Sequence, residues 1–334
     1  MNPVLSAPPK NGQAPPDLYS PIAWDLEQVE DVLARTLESR YSRVAAVVNH
    51  VSNYRGKRLR PALLLLVARA CGRLTHEHHV LGAVVEMIHT ATLVHDDVLD
   101  SATVRRHVPT VNAKWDNQTS VLLGDYLFTH AFHLSATLGD ARACKIIGEA
   151  TNRVCEGELC QGLEQGNLGL GEENYFDMID GKTAELIACC CRLGALFSGA
   201  NEGVVESLTT YGRQLGLAFQ IADDLLDLEG DENATGKSLG TDLDQLKLTL
   251  PLIHLLDQST EAGKLRLRQL MASSGNHKRE KLIPHLVESG SLDYARRRAE
   301  DCAGQALAEL NCLPPSPCRS LLEVLTRRVV DRNS

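Results

Sequence analysis

The chain has 334 residues and a formal net charge of −9, and its Lys and Arg residues form no long block. This charge makes nucleic acid an unlikely partner. Aromatic residues make up only 4% of the chain, whereas Leu and Ala are common, which favours helices over sheets. No apolar run approaches the ~20 residues that span a bilayer, and ten cysteines without a secretory pattern predict a reducing cytoplasm.

The N-terminal segment, residues 1–21, is rich in Pro and lacks periodic apolar positions, so we expect it to be disordered. Beyond it, apolar residues recur at spacings of three and four almost to the end. This pattern predicts a single all-α domain over residues 22–334, a bundle of about ten or more helices. The predicted helices fall near residues 25–39, 60–72, 78–100, 118–138, 141–164, 173–199, 202–228, 247–257, 262–273, 278–289, 291–311 and 318–331.

Three shorter features have ordinary interpretations. The consecutive cysteines Cys189–Cys191 lie in an apolar helical pattern and are expected to be small buried hydrophobes. The histidines of "THEHHV", His76, His78 and His79, are interpreted as the polar start of a helix. The basic stretch "YRGKRLRP" precedes a helix, and two interpretations of it are balanced: a solvated turn, or a site where an anion docks at the helix start.

Two acidic clusters follow apolar runs. "TATLVHDDVLD" places Asp96 and Asp100 one helical turn apart, and like charges at that spacing repel. A single cluster of this kind is most simply a solvated face. The stretch "FQIADDLLDLEGDE" repeats the spacing at Asp223, Asp224 and Asp227. Two such helices facing each other would form a cage of oxygen ligands that suits Mg²⁺ with its waters and substrate phosphates.

A polar, cation-bearing segment follows each acidic cluster. "DSATVRRHVPTVNAKWDN" contains Arg105 and Arg106, and "EGDENATGKSLGTDLDQLKLT" contains Lys237 and Lys247. Both segments read as loops. Cations brought to a carboxylate cage can bind an anion that already carries magnesium, such as a diphosphate.

At this point the motifs show a family resemblance. "GKRLRP", "IHTATLVHDDVLD", "RRHVPT", "LLGDYLFTHAF", "GELCQG", "GKTAEL", "LGLAFQIADDLLD" and "GKSLGTDL" followed by "KLTLP" occur in the order typical of trans-isoprenyl diphosphate synthases. The chain most resembles the long-chain, octaprenyl-like branch over residues 24–331. The resemblance implies an all-α homodimer with a central cavity in each subunit. It also implies Mg²⁺-dependent, head-to-tail condensation of isopentenyl diphosphate with an allylic diphosphate.

The same resemblance implies a role for each matching residue. Asp96, Asp100 and Asp223 resemble magnesium ligands, with Asp97, Asp224 and Asp227 completing the acidic faces. The residues that resemble those holding isopentenyl diphosphate are Lys57, Arg60, His89 and Arg106. Those that resemble the surroundings of the allylic diphosphate are Arg105, Lys182, Thr183, Gln220, Lys237 and Lys247. A buried, neutral histidine remains the alternative for His89.

Two positions depart from the family pattern. His107 follows the paired arginines, and Leu246 precedes the last lysine, where the family usually has Gly. If the backbone at these positions has positive φ, a side chain costs about 1 kcal/mol or shifts the loop. The placement of Arg106 and Lys247 depends on which of the two happens.

Product length is predicted from the residues before Asp96. Short-chain members of the family carry bulky aromatics four and five residues before this acid, whereas this chain has Thr92 and Ala91. The mouth of the product tunnel is therefore expected to be open. We expect a product of about C30–C45, of the kind attached to quinones, because one helical turn of ~5.4 Å spans about one isoprene unit. Such a product suggests peripheral membrane contact at release.

Several alternatives remain open at this stage. The chain could make a short or medium product such as farnesyl or geranylgeranyl diphosphate. A class I terpene cyclase also ionises a diphosphate with an acidic cluster, but it has no need of a second diphosphate site at Lys57 and Arg60. The chain could also be the catalytic subunit of a heteromeric synthase or, less simply, a non-catalytic subunit that sets chain length.

Overall fold

The computed structural model describes residues 19–52, 54, 56, 58–230, 239–273 and 278–331, and within these ranges the protein is almost entirely helical. The N-terminal half contains α1 (Ala23–Thr36), α2 (Ser42–Ser52), α3 (Leu59–Ala70), α4 (His76–Leu99), strands β1 (Val104–Arg105) and β2 (Val108–Pro109), α5 (Val111–Lys114), α6 (Asn117–Ala136), α7 (Ala141–Leu163) and α8 (Glu172–Ile179). The remainder contains a π-helical segment (Asp180–Ala184), α9 (Glu185–Phe197), α10 (Glu202–Glu229), α11 (Thr241–Asp244), α12 (Leu250–Asp257), α13 (Glu261–Ala272), α14 (Lys278–Glu288), α15 (Ser291–Glu309) and α16 (Pro317–Val330). Two 3₁₀ turns, Ser20–Ile22 and Leu310–Cys312, complete the described elements.

The bundle is built around α3, α4, α9 and α10. Helix α10 packs against α9 and α15, and α4 packs against α6, α3 and α1. Four consecutive residues of α3, Leu63, Leu64, Leu65 and Leu66, are all fully buried, as expected for a helix in the centre of a core. The main apolar cluster draws on residues from α1 to α16. A second cluster joins α2, α4, α5 and α6.

The prediction of an all-α fold is confirmed, and the helix bounds agree closely with the periodic pattern. The cysteines Cys189–Cys191 are buried, as expected. Helix α4 starts at His76, also as expected, but His78 and His79 are buried. The His78 ring hydrogen-bonds to the carbonyl of Gly194, and the His79 ring to the carboxylate of Asp25. Helix–helix packing thus covers what looked like a polar helix start.

Three details differ from the sequence pattern. The segment after the first acidic cluster contains a two-stranded antiparallel hairpin in which Val104 pairs with Pro109. The single helix expected over residues 173–199 is interrupted by the π-helical segment. Helix α2 is short and was not predicted. Within the described ranges, no helix is long and apolar enough to cross a membrane.

Candidate active site

The first acidic cluster lies at the C-terminal end of α4, where the helix dipole disfavours negative charge. Asp96 is half-buried. Burial, followed by the nearby charge of Glu158, raises the pKa of Asp96 to about 7. Asp100 is exposed and accepts a hydrogen bond from Lys247 Nζ at 3.1 Å. The position therefore favours binding of a cation.

Asp97 is adjacent in sequence but faces another side of α4. It is only 1% exposed, and its Oδ1 accepts a hydrogen bond from Arg105 Nε at 2.8 Å. Its Oδ2 is buried and has no hydrogen-bond partner in the described part of the chain. Burial raises the pKa of this carboxyl group, although the charge of Arg105 acts in the opposite direction. Asp97 is thus placed to hold Arg105.

The second acidic cluster lies at the C-terminal end of α10. Asp223 is half-buried, as Asp96 is. Asp227 already accepts hydrogen bonds from the loop that follows. Its donors are the hydroxyl of Thr241 at 3.0 Å and the backbone N–H groups of Thr241 at 3.3 Å and Asp242 at 3.2 Å. This acid therefore ties α10 to α11.

Asp224 is only 4% exposed and belongs to a chain of hydrogen bonds. Tyr175 donates its hydroxyl to Asp224 Oδ2 at 2.6 Å, and Gln220 Nε2 donates to Asp224 Oδ1 at 2.7 Å. Gln220 Oε1 in turn accepts from the Thr183 hydroxyl at 2.7 Å. The structure thus brings Thr183 and Gln220 together, as their shared assignment predicts.

A further acid, Asp242, joins the second cluster. Burial, followed by the charge of Asp227, raises its pKa to about 6, and the charge of Lys247 lowers it. The sequence reasoning assigned no role to Asp242, although it lies in the motif "GKSLGTDL". The available signal was its position between Lys237 and Lys247 in the segment that follows the second acidic cluster.

Lys182 lies between the two acidic clusters. Its Nζ donates to Glu158 Oε2 at 2.9 Å and to Gln161 Oε1 at 2.7 Å. Burial disfavours the charged amine, but Glu158 and then Asp96 outweigh it, so the pKa of Lys182 is raised. Its charge also acts on Asp242 in the second cluster. Glu158 and Gln161 belong to the "GELCQG" motif and had no predicted role.

The π-helical segment that carries Lys182 and Thr183 lies directly against α7. A Cβ on Gly157 of α7 would collide with the backbone nitrogen of Lys182, and one on Gly181 would come within 2.9 Å of the Arg153 carbonyl. Glycine at these two positions lets the backbones approach closely. The contact fixes the position of Lys182 and Thr183 relative to α7.

We expect Gly157→Ala to lower both stability and turnover, because the new methyl group must push the π-helical segment away. Overpacking of this kind costs ~1–3 kcal/mol. Gly148→Ala is the matched control on the same helix, since a Cβ there meets nothing within 4 Å. The control should be neutral or more stable, by up to ~1 kcal/mol. Thermal melting and kcat check both variants, and equal behaviour of the two would contradict the close-contact explanation.

A group of cations surrounds His89, which lies two turns before Asp96 on nearly the same face of α4. Burial, followed by the positive charges of neighbouring arginines, holds the pKa of His89 well below its usual value, so the ring is neutral. Arg60 Nε is buried without a hydrogen-bond partner in the described residues. The nearby acid Glu86 already forms a salt bridge with Arg58, with 2.6 Å between Arg58 Nη1 and Glu86 Oε1. The arginines that act on His89 are Arg60, Arg106, Arg105 and Arg58.

Arg106 and His107 form the turn of the hairpin, and both have positive φ, 51° and 64°. Positive φ at both central residues is the pattern of a type I′ turn, which fits a two-residue hairpin. The expected family glycine at 107 therefore corresponds to a left-handed position. The turn keeps that conformation with histidine, and Arg106 donates to the carbonyl of Tyr54 at 2.9 Å.

Leu246 occupies the other position where glycine was expected, and its φ is 55°. It ends α11 in a Schellman motif: its N–H bonds to the carbonyl of Leu243 at 3.1 Å, and the N–H of Lys247 bonds to that of Asp242 at 2.8 Å. The carbonyl of Leu246 also accepts from the N–H of Gly166 at 3.1 Å. The loop does not shift, and Lys247 reaches Asp100.

Ala91 and Thr92 differ in surroundings. Thr92 is half-buried and lies one turn before Asp96 on the same side of α4. Ala91 is fully buried and packs in the second apolar cluster with residues such as Val48 and Leu123. Ala91 therefore lies in packed apolar surroundings and Thr92 in a more open position, and the product path past these two residues stays a prediction.

The described residues do not include Lys57 and Lys237, so their predicted roles lie outside the described part of the chain. In the remainder, no group of three or more His, Cys, Asp or Glu side chains is arranged to hold a metal ion. The structure does bring the two acidic clusters to the same lysines, and it brings Arg60, His89 and Arg106 together. The partners that sequence reasoning missed are Glu86, Glu158, Gln161, Tyr175 and Asp242.

Comparison with known proteins gives consistent matches. The family model described as polyprenyl synthetase matches residues 42–288. An all-trans-nonaprenyl-diphosphate synthase (geranyl-diphosphate specific) of Rhodobacter capsulatus is 38% identical over 317 residues, 95% of this chain and 97% of the relative. The octaprenyl diphosphate synthase of Escherichia coli (strain K12) is 36% identical over 312 residues, 93% of this chain and 97% of that one.

The chain is also similar in fold to a solved structure. It is a polyprenyl synthase from Caulobacter crescentus CB15 complexed with calcium and isoprenyl diphosphate. Its sequence is 32% identical, and the alignment covers 98% of this chain and 100% of that chain with a TM-score of 0.90.

Proposed function

The chain belongs to the polyprenyl synthetase family and is a long-chain trans-prenyltransferase, and we propose that it condenses isopentenyl diphosphate with an allylic diphosphate to give a product of about C30–C45. The observation that carries this proposal is the position of Lys182 and Lys247. Lys247 binds Asp100 and acts on Asp242, while Lys182 acts on Asp96 and Asp242. Two acidic clusters at helix ends thus share two lysines, as binding of a metal-bearing diphosphate requires.

The acids fit a divalent cation, for which we propose Mg²⁺. Burial, and then the negative charges of neighbouring carboxylates, raises the pKa values of Asp96 and Asp242, and a bound cation would offset both effects. We assign the ligand role to Asp96, Asp100 and Asp223. Bound magnesium would supply positive charge against the departing diphosphate and complete its shell with water and phosphate oxygens.

Asp97, Asp224 and Asp227 are assigned a different role from the one first predicted. Each already accepts hydrogen bonds from protein donors: Asp97 from Arg105, Asp224 from Gln220 and Tyr175, and Asp227 from the start of α11. We propose that they position these neighbours and leave metal binding to the other acids.

Departure of the diphosphate leaves a delocalised allylic cation, and fixed charges make that departure possible. We assign to Lys182, Lys247 and Arg105 the task of meeting the negative charge that develops on the leaving group. Lys237 is assigned the same task from the sequence. The oxygen atoms of Thr183 and Gln220 can face the cation without reacting with it. The double bond of isopentenyl diphosphate then attacks, and a proton leaves to the released diphosphate.

The second diphosphate, that of isopentenyl diphosphate, is assigned to the cations around His89. The buried Nε of Arg60 has no partner among the residues that the structure describes, and Arg58 already neutralises Glu86. A diphosphate would satisfy Arg60 and Arg106 at once. A neutral His89 can donate one further hydrogen bond without adding charge. Lys57 is assigned here from the sequence.

We propose that the protein is a cytoplasmic homodimer. Helices α6 and α7 expose large apolar side chains, Leu122, Leu159 and Leu163, at 59%, 66% and 84%. Exposed apolar surface of this kind marks an interface. Light scattering of the purified chain should give twice the mass of one chain.

The test of the proposed function is a product assay on the purified chain alone, with labelled isopentenyl diphosphate and an allylic primer. We expect Mg²⁺-dependent formation of long polyprenyl diphosphates. Turnover of the allylic diphosphate in the absence of isopentenyl diphosphate would instead identify a cyclase. Activity only after addition of a second protein would identify the catalytic subunit of a heteromer.

We expect Arg60→Ala to raise KM for isopentenyl diphosphate by ~10-fold or more with a smaller change in kcat, because it removes a contact to a group that does not ionise. The control is Arg73→Ala, an exposed arginine beyond the end of α3. Steady-state kinetics with each substrate varied in turn provides the measurement. A rise in KM for the allylic substrate alone would show that the two diphosphate sites are reversed.

A further inference from the structure

Tyr175 is a buried residue of α8 that the proposed mechanism does not yet use. It is 1% exposed, and its hydroxyl lies 2.6 Å from Asp224 Oδ2. Helix α8 continues directly into the π-helical segment that carries Thr183. Tyr175 and Thr183 therefore form two separate connections from one continuous stretch of chain to α10.

The two connections meet at Gln220. Asp224 Oδ1 accepts from Gln220 Nε2, and Gln220 Oε1 accepts from the Thr183 hydroxyl, both at 2.7 Å. Both oxygens of Asp224 act as acceptors in this arrangement, with the amide nitrogen of Gln220 facing Asp224 and its oxygen facing Thr183. The Tyr175 hydroxyl occupies the Asp224 oxygen that Gln220 leaves open. It thereby holds the carboxylate in the one orientation that orders the chain.

We propose that Tyr175 is a positioning residue for the Thr183–Gln220 pair. This inference rests on the condensation proposed above. Its hydroxyl fixes Asp224, Asp224 fixes the amide of Gln220, and the amide fixes the hydroxyl of Thr183. The oxygen atoms that face the allylic cation are then oriented before the substrate ionises, so that no reorganisation is needed when the charge forms.

Loss of the Tyr175 hydroxyl would leave one oxygen of Asp224 buried and unsatisfied. The carboxylate could then rotate, and the amide of Gln220 could turn its nitrogen toward Thr183. Substrate binding depends on the lysines and arginines and would change little. The ionisation step would suffer because the oxygen dipoles would no longer be held in place.

The experiment compares Tyr175→Phe with Tyr211→Phe. Tyr211 is also fully buried, and its hydroxyl is also hydrogen-bonded, to the carbonyl of Leu322 and to Thr326, both on α16. Tyr175→Phe should lower kcat by about 10-fold or more while KM for both substrates changes much less. Tyr211→Phe should lose comparable stability but less than about twofold in kcat. Equal kcat in the two variants would overturn the proposal.

A double-mutant cycle with Thr183→Val separates positioning from a general structural role. If Tyr175 acts through Thr183, Tyr175→Phe should have little further effect on kcat once the Thr183 hydroxyl is gone. Additive losses would overturn the proposal. Asp224→Asn is the second variant should Tyr175→Phe fold poorly, and it should lower kcat to a similar extent; wild-type kcat in Asp224→Asn would also overturn it. Condensation by the unaltered chain is measured alongside, so that a failure of the proposed function is distinguished from a failure of this inference.

Discussion

Asp96→Ala and Asp223→Ala should each lower kcat by ~100-fold or more, because each removes a carboxylate that holds the charge stabilising the leaving diphosphate. The two acids lie on different helices, 127 residues apart in sequence, yet both are half-buried beside further acids. Removal of divalent metal by EDTA should abolish activity, and magnesium should restore it. The measurement is initial rate with both substrates saturating.

The control for this prediction is Asp177→Ala, which removes an exposed acid of α8. It should retain wild-type turnover. Near-normal turnover in Asp96→Ala or Asp223→Ala would contradict the assignment of these acids as metal ligands.

Stability provides an independent check on Asp96. Its pKa is raised from 3.8 to about 7, chiefly by burial, so the folded protein binds more protons than the unfolded chain between these pH values. Without metal, the contribution of this group to stability therefore falls as pH rises from about 4 to 7. Asp96→Asn should remove that decline, which chemical denaturation of the metal-free protein at several pH values can measure. A variant that is inactive but no less stable has lost a ligand, not its fold.

Introducing Phe at both Ala91 and Thr92 should shorten the product to about C15–C20, because the rings would block the path that we expect the growing tail to follow past the start of the first acidic cluster. The two positions should differ in stability. Ala91→Phe must displace packed side chains of the second apolar cluster at a cost of ~1–3 kcal/mol. Thr92→Phe enters partly open space and should cost less.

Chromatography of dephosphorylated products from labelled isopentenyl diphosphate measures their length. Thr92→Val, which keeps the size of the side chain, should leave the product unchanged and serves as the control. The first condensations should continue in the double variant, since the charged residues are not altered. An active double variant that still makes the long product would show that the tail does not pass these residues.

Helical periodicity was sufficient to predict the bundle. Helices α4 and α10 have apolar residues every three or four positions up to their acidic ends, and the structure ends them there. The π-helical segment at Asp180–Ala184 was not predictable. It lies where Gly157 of α7, 24 residues before Gly181 in the sequence, lets the two backbones approach closely. Local patterns report hydrogen bonds within a helix but not a neighbour that distorts it.

The strained turns show the same division. His107 and Leu246 stand at positions where glycine is usual. The sequence therefore indicated either a strained backbone or a shifted loop, but not which of the two. The structure keeps φ positive at both, since the hairpin holds one and a Schellman motif with two backbone hydrogen bonds holds the other. A cost of about 1 kcal/mol at each position is small beside the contacts that would be lost if either loop shifted.

For the site, the sequence by itself determined which helices end in acids, since spacing along one helix is a local property. Which acids are open to a metal was decided only by tertiary structure. Asp96 and Asp97 are neighbours, as are Asp223 and Asp224, and adjacent helical residues point about 100° apart. The faces are distinguished by Arg105, which engages Asp97, and by Tyr175, which engages Asp224 from 49 residues away. Tyr175 meets Asp224 only when the helices pack, and Arg105 meets Asp97 only when the hairpin folds back on α4, because no periodic pattern relates these partners.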